Sequence, residues 1–346
     1  MPNTNKMDGK RFHLIIIFVI FAPFFLGCGP KESVFSGRTM GTTYTVKVVS
    51  GFFQQDAGLQ EKIDARLEEI NRSMSTYLAD SEISRFNHRV SVGEKFRISS
   101  DFMQVMQTAQ RIFILSDGAW DGTLKPLIDL WGFGTAGTRS KPPTAEEIRQ
   151  GLQGVGFSSV QIIDDCCLAK TNASVRLDLA SIAKGYAVDQ IAALLRNSGA
   201  DNFLVEIGGE VYADGHRRDR NPWRVGINTP RPEDAVNQVY RAVSLSGRAM
   251  ATSGDYRNFI ELGGKRYTHV IDPRNGYPVD NGVVSATVLA DNCTLADGLA
   301  TALMVMGPGK GLDLINRIDS VECLIVVMQA DGTFTDHYSK GFREEK

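Results

Sequence analysis

The stretch Arg176-Leu177-Asp178-Leu179-Ala180-Ser181-Ile182-Ala183-Lys184-Gly185-Tyr186-Ala187-Val188-Asp189 decides how this chain is read. It opens as a short apolar strand and continues as a helix through Ile191, Ala192, Leu194 and Leu195. Asp178, Ser181 and Lys184 recur every third residue, a spacing that keeps side chains on neighbouring parts of one helix face. Ala180, Ala183 and Gly185 are small and leave room for something to approach the backbone. A carboxylate, a hydroxyl and an ammonium at a helix start suit a phosphate with its metal ion. The same residues equally fit an acidic cap on an ordinary amphipathic helix.

A second acidic helix lies far along the chain. In Asp291-Asn292-Cys293-Thr294-Leu295-Ala296-Asp297-Gly298-Leu299-Ala300-Thr301, Asp297 and Thr301 are one turn apart and share a face. Both offer hard oxygens, which Mg²⁺ accepts while completing its shell with water and phosphate. Taken alone, an Asp-x-x-x-Thr pair is common in helix interiors. His269 stands at an expected strand end, before the turn Asp272-Pro273-Arg274-Asn275-Gly276. Its imidazole can take a proton from an attacking hydroxyl, or it can simply bond a loop carbonyl. No GxGxxG follows a strand, no Gly-rich loop ends in Gly-Lys-Ser/Thr, and Ser253-Gly254 lacks the leading Gly-x of a hydrolase elbow.

Around these two segments the chain alternates between helical and strand periods. Apolar residues recur helically over 59–70, 100–116 and 145–154, with a capped short helix at 80–87 whose cap is Asp80 or Ser81. The second acidic helix is expected from 292 to about 307, where Gly307-Pro308-Gly309 ends it, and 311–318 is helical again. Strands are expected over 42–49, 160–163, 174–177, 202–207, 223–227, 239–245, 266–271, 283–289 and 322–328. Residues 119–134, rich in Gly and aromatics, lack a period and read as a pocket-lining loop. Frequent hairpins among the helices give an α+β fold with mixed or antiparallel sheets.

The chain has 346 residues, of which 42% are apolar and 23% charged, as in globular proteins. A formal charge of −2 supplies no electrostatic footprint for nucleic acid. The first segment differs. Lys6, Lys10 and Arg11 precede an apolar run from Leu14 to Leu26, about 20 Å as a helix and short of a roughly 30 Å hydrocarbon core. This reads as an export signal over 1–27. Phe25-Leu26-Gly27-Cys28 is similar to a bacterial lipoprotein signal, which makes Cys28 the lipidated first residue and 28–36 a tether to a catalytic domain at 37–340. The alternative is a plain cleaved signal with an incidental Cys. Cys166 and Cys167 are adjacent and are not expected to bond each other, and Cys293 and Cys323 sit in apolar contexts. The absence of CxxC argues against zinc.

Taken together, Met40-Gly41-Thr42, Met74-Ser75-Thr76-Tyr77, Ser81 to Asn87, Gly118-Ala119-Trp120-Asp121 and Trp131-Gly132-Phe133-Gly134 resemble the motifs of one family. So do the Asp178 segment, Gly208-Gly209-Glu210, Ala251 to Asn258, His269-Val270-Ile271-Asp272-Pro273 and Ala296 to Thr301. The family is the FAD:protein FMN transferases, the ApbE family of flavin-trafficking lipoproteins. The motifs stand in the family's order across residues 37–307. The resemblance implies an enzyme that splits FAD, joins FMN through its phosphate to a threonine hydroxyl of an acceptor protein, and releases AMP. It implies a flavin site at Met40, Tyr77, Ala119, Trp120, Asp121, Asp178, Lys184 and the Ile271 region. It implies Mg²⁺ held by Ser181, Asp297, Ala300 (through its backbone oxygen) and Thr301. His269 matches the histidine that activates the acceptor threonine. Acceptors of the family are membrane redox subunits, such as those of sodium-pumping quinone reductases, which fits a lipoprotein of the bacterial inner membrane facing the periplasm. Trp120 replaces a common Phe, and Ala180-Ser181 replaces a Gly-Gly or similar small pair. An FAD pyrophosphatase giving FMN and AMP, and a non-catalytic FAD-binding lipoprotein, are the competing readings.

Overall fold

The computed structural model describes residues 1–2, 31–50, 58–134, 137, 139–231, 238–255 and 258–343. The expected signal segment and Cys28 lie outside the described residues. The chain begins with strands β1 (Lys31–Thr39) and β2 (Thr42–Ser50), then helices α1 (Leu59–Met74) and α2 (Glu82–His88). Next come β3 (Phe96–Arg97), α3 (Ser100–Leu115), α4 (Lys125–Trp131), α5 (Ala145–Leu152), β4 (Val160–Asp164) and β5 (Cys167–Lys170). Helix α6 (Ala180–Asn197) leads to the hairpin β6 (Phe203–Ile207) and β7 (Glu210–Asp214). Strands β8 (Trp223–Asn228), β9 (Val239–Leu245), β10 (Arg248–Gly254), β11 (Phe259–Leu262), β12 (Lys265–Thr268) and β13 (Val283–Ala290) follow. Helix α7 (Cys293–Ile315), β14 (Glu322–Met328) and β15 (Phe334–Tyr338) close the chain.

Eight strands form one antiparallel sheet in the order β1-β2-β6-β7-β10-β13-β14-β15. Residues 283–290 are buried at every position, which explains their unbroken run of small and apolar residues: a strand covered on both faces has no polar side to alternate with. On one face α6 and α7 pack against Val46, Val205, Ala251, Ala286 and Ile325. On the other the β8–β9 hairpin lays Trp223, Ile227, Val243 and Leu245 over Val211, Met250, Val284 and Leu324. The expected α+β class with antiparallel sheets is the architecture observed.

Helices start where short polar side chains take up the first free N–H groups. Ser81 accepts from Ser84 N, Ser99 from Phe102 N, and Thr144 with Glu147 forms a reciprocal capping box. Asn292 caps α7, and Asp189 of α6 accepts from Cys293 N, Thr294 N and Thr294 Oγ1 at 2.7, 2.8 and 2.5 Å. One buried carboxylate thus ties the start of α7 to the middle of α6. Gly307 takes φ 72 and interrupts α7, which resumes after Pro308, as the Gly-Pro-Gly punctuation predicts.

Four expectations are corrected. Residues 31–36 are not a tether but most of edge strand β1, paired with β2 from Lys31↔Ser50 to Thr39↔Thr42. Residues 119–134 are not all loop, because α4 forms with Pro126 in its first turn. Residues 174–177 make only a single bridge, Arg176 to Leu124; Asn87 takes both backbone groups of Leu177, so no ladder extends there. Asp178 precedes α6, whose N-cap is Leu179, so the shared helix face holds only for Ser181 and Lys184. Among the described residues, no helix is long and apolar enough to cross a membrane.

Candidate active site

The two acidic helices meet. Asp297 of α7 is 2% exposed, and its Oδ2 accepts a hydrogen bond from Gly185 N of α6 at 2.9 Å. Its Oδ1 lies 3.8 Å from Lys184 Nζ. Gly185 is required by this contact: a Cβ there would lie 2.3 Å from the carbonyl oxygen of Cys293. Lys184 Nζ also lies 3.3 Å from Oε1 of Glu210, which is 3% exposed. The second Glu210 oxygen is buried without a hydrogen-bond partner among the described residues.

The electrostatics follow from burial. Desolvation pushes the Glu210 carboxyl up to about 8, with the Lys184 charge opposing and the Asp297 charge adding to the rise. Burial likewise raises Asp297, against the pull of Lys184. Burial works against the Lys184 ammonium, yet the two carboxylates outweigh it and hold its pKa above the ordinary lysine value. A single ammonium leaves both carboxyls raised, so a further positive charge is needed to hold both ionised, and an oxygen of Glu210 is left over. The cluster is short of positive charge. Asp297 and the unpartnered Glu210 oxygen are hard donors of the kind a divalent cation such as Mg²⁺ accepts.

The remaining candidates tie these two helices to other elements or lie on those elements. Thr301 Oγ1 is 3.0 Å from Ser253 Oγ of β10. Ser181 Oγ accepts from the Trp120 indole N–H at 3.0 Å, so the buried Trp120 pins the 119–123 loop to α6. Asp178 N donates to Gly122 O at 2.8 Å, a second tie between the same segments. Asp178 Oδ1 accepts from Ala180 N, and burial raises its pKa. Oδ1 of Asp178 thus takes up the first N–H of α6, as the acidic-cap reading expects. Met40 sits in the β1–β2 turn with φ 48, beside Gly41 at φ 74. A left-handed non-glycine residue in a tight turn is a strained feature of the kind found at functional sites. Gly208, at φ 64 in the β6–β7 turn, adjoins both Thr42 and Lys184: a Cβ would meet Thr42 Cγ2 at 2.9 Å and Lys184 Cδ at 3.3 Å.

His269 follows β12. Its Nδ1 is 3.0 Å from the Asn258 carbonyl, which can only accept, so Nδ1 carries the proton and Nε2 keeps a free lone pair. The carbonyl-bonded and base readings are therefore compatible. Burial lowers the His269 pKa, as does the charge of Lys184, while the Asn258 bond opposes both. At neutral pH the ring is uncharged.

Not every expected residue converges. Tyr77 is 78% exposed. The Ile271 side chain is buried against Leu127, Trp131 and Ile148 and has only its backbone to offer. Ala300 is fully buried, consistent with a backbone role alone. The Asp121 carboxylate is used in tying its loop to the turn before β4, accepting from Thr123 N, Thr123 Oγ1 and Phe157 N at 2.7, 2.5 and 3.0 Å. Glu210 and Ser253 received no role from sequence reasoning. The signal for Glu210 was the Gly208-Gly209 pair, which marks a tight hairpin turn and so sets the next residue at the strand start.

The fold is shared with solved flavin transferases. A structure titled flavin transferase ApbE from Vibrio cholerae is 40% identical, with a TM-score of 0.83, over 90% of this chain and 98% of that one. The apo flavinyl transferase ApbE of Pseudomonas stutzeri is 38% identical, with a TM-score of 0.81, over 90% and 96%. Among curated proteins, a Vibrio cholerae serotype O1 relative named FAD:protein FMN transferase is 42% identical over 92% of this chain and 94% of its own length. One of the same name from Haemophilus influenzae is 38% identical over 95% and 96%. The ApbE family model matches residues 40–325, and the chain belongs to that family.

Proposed function

We propose that this chain is a flavin transferase that moves FMN from FAD to a protein acceptor, with Mg²⁺ at Asp297 and a threonine hydroxyl as the point of attachment. The relatives named FAD:protein FMN transferase support the reaction class. The observation that carries the assignment to particular residues is the α6–α7 junction, where Asp297 meets Gly185 N and Lys184 in a cluster short of positive charge.

In the proposed reaction the threonine oxygen attacks the phosphorus that bears the flavin half of FAD. The bond to the AMP phosphate breaks, and AMP leaves with the bridging oxygen. Nε2 of neutral His269 accepts the hydroxyl proton. Lys184 places its ammonium against the diphosphate oxygens, held in aim by Glu210. The strained Met40 turn and the Trp120 loop bound the flavin side. Asp297, Thr301, Ser181 and the Ala300 carbonyl would hold Mg²⁺, which neutralises charge developing on the phosphates.

The acceptor is proposed to be a membrane redox subunit, with the enzyme tethered through lipidated Cys28 at the periplasmic face of the inner membrane. The test incubates purified protein with FAD, Mg²⁺ and candidate acceptor domains. Intact mass of the acceptor should rise by one FMN phosphoester, with equimolar AMP and loss of the adduct when the target threonine is changed to alanine. Free FMN and AMP with an unmodified acceptor would instead assign hydrolysis.

A further inference from the structure

Adjacent thiols stand at the turn between β4 and β5, far along the fold from the two helices just described. Asp164 pairs across the hairpin with Cys167, so the turn folds the carboxylate and the two sulfurs of this short segment together. Cys166 Sγ is 3.4 Å from Asp164 Oδ1 and 3.6 Å from Cys167 Sγ. All three ligand atoms lie within 4.8 Å of one another.

These separations match one coordination geometry. A tetrahedral zinc-sized ion with a metal–sulfur bond of about 2.3 Å holds two sulfurs about 3.8 Å apart. With a metal–oxygen bond of about 2.1 Å it holds a sulfur and an oxygen about 3.6 Å apart. The turn is within a few tenths of an ångström of both values before any ion enters. The other Asp164 oxygen, Oδ2, is 2.9 Å from Lys95 Nζ, a partner of the kind that orients a ligating carboxylate. The scaffold beneath is stiff: Ile98 N donates to Cys166 O at 2.8 Å, and β3 pairs with β5 at Arg97↔Cys167. Cys166 and Cys167 are half-buried free thiols. A disulfide between neighbours is disfavoured, because consecutive Cα atoms are about 3.8 Å apart and ordinary disulfides need about 4.4–6.8 Å.

We propose that Asp164, Cys166 and Cys167 form a site for a thiophilic divalent cation of zinc size, separate from the Asp297 cluster, with a fourth position open to solvent. Binding releases the two thiol protons to solvent and leaves both sulfurs as thiolates on the ion. The absence of CxxC spacing does not exclude it, since the turn folds Asp164 back beside the two adjacent sulfurs.

The experiment uses the reduced, metal-free full chain in excess Mg²⁺, with Zn²⁺ and Co²⁺ as probes. One equivalent of Zn²⁺ should protect Cys166 and Cys167, but neither Cys293 nor Cys323, from iodoacetamide, mapped by peptide mass spectrometry. Co²⁺ should give a thiolate charge-transfer band that Cys166→Ser abolishes and Asp297→Ala retains. Asp164→Asn should weaken Co²⁺ binding by at least ~10-fold, as loss of a ligand rather than of a fold element. Unchanged far-UV circular dichroism and FMN transfer in Cys166→Ser would show that the protein is intact. Equal alkylation rates with and without Zn²⁺, or a charge-transfer band that survives Cys166→Ser, would overturn the proposal.

Discussion

Gly185→Ala probes the junction on which the site is built. The new Cβ would lie 2.3 Å from the Cys293 carbonyl oxygen, 2.7 Å from its carbon and 2.8 Å from Asp297 Cβ. None of these is the end of a flexible side chain, so α6 and α7 must part. Overpacking of this kind costs about 1–3 kcal/mol. Parting the helices also stretches the Gly185 N–Asp297 bond, and hydrogen bonds to charged groups contribute roughly 1.5–3 kcal/mol. Alanine returns about 0.5–1 kcal/mol through its better helix propensity. The net is a loss of roughly 2–5 kcal/mol, or a fall in Tm of about 4–10 °C at the ~2 °C per kcal/mol expected of a large domain. Gly309→Ala is the control, since a Cβ there meets nothing within 4 Å and should leave Tm level or higher. The assay is thermal unfolding of both variants beside FMN transfer at saturating Mg²⁺. If Gly185→Ala melts within about 1 °C of the parent and transfers FMN at the parent rate, the helices do not meet as described.

Three further outcomes are expected. Because burial and Lys184 lower the His269 pKa, the acid limb of kcat/KM should be centred below the ordinary histidine value of 6.5. His269→Gln should remove that acid limb and about 10²–10⁴ of the rate, and an acid limb centred above 6.5 would contradict the assignment. Glu210 has a folded pKa of about 8 against 4.5 unfolded, so its contribution to stability is fully present below pH 4.5 and is lost as pH rises through 8. Denaturant titrations of metal-free protein should show Glu210→Gln losing less stability than the parent across that window; parallel curves would refute it. Trp120→Phe removes the indole bond to Ser181, about 0.5–1.5 kcal/mol, and part of a buried ring as well, and should lower Tm by at least a few degrees while transfer stays within a few-fold.

Legibility in the sequence followed burial pattern. Helices α1, α3 and α5 bury one stripe and show it as a helical period, and α7 breaks at Gly307 where Gly-Pro-Gly announces it. Strand β1 was hidden because an edge strand exposes most of its side chains and leaves little apolar alternation. Strands β3 and β11 are too short to carry a period, and α4 is a single short helix among aromatics that read as loop. At the site, Asp297, Lys184 and His269 were legible because family motifs surround them. Glu210 acquires its partner only when the β6–β7 turn carries it to Lys184, a distance through space that no local spacing encodes. Asp164, Cys166 and Cys167 are neighbours in the sequence and were passed over because no CxxC spacing marks them.

The most direct test replaces Asp297 with asparagine, which keeps an oxygen for Gly185 N but removes the charge. With FAD, a threonine acceptor and saturating Mg²⁺, the account predicts a folded protein whose transfer rate falls by about 10²–10³ and whose Tm no longer rises on adding Mg²⁺. An Asp297→Asn variant that transfers FMN at the parent rate with undiminished Mg²⁺ dependence would contradict it.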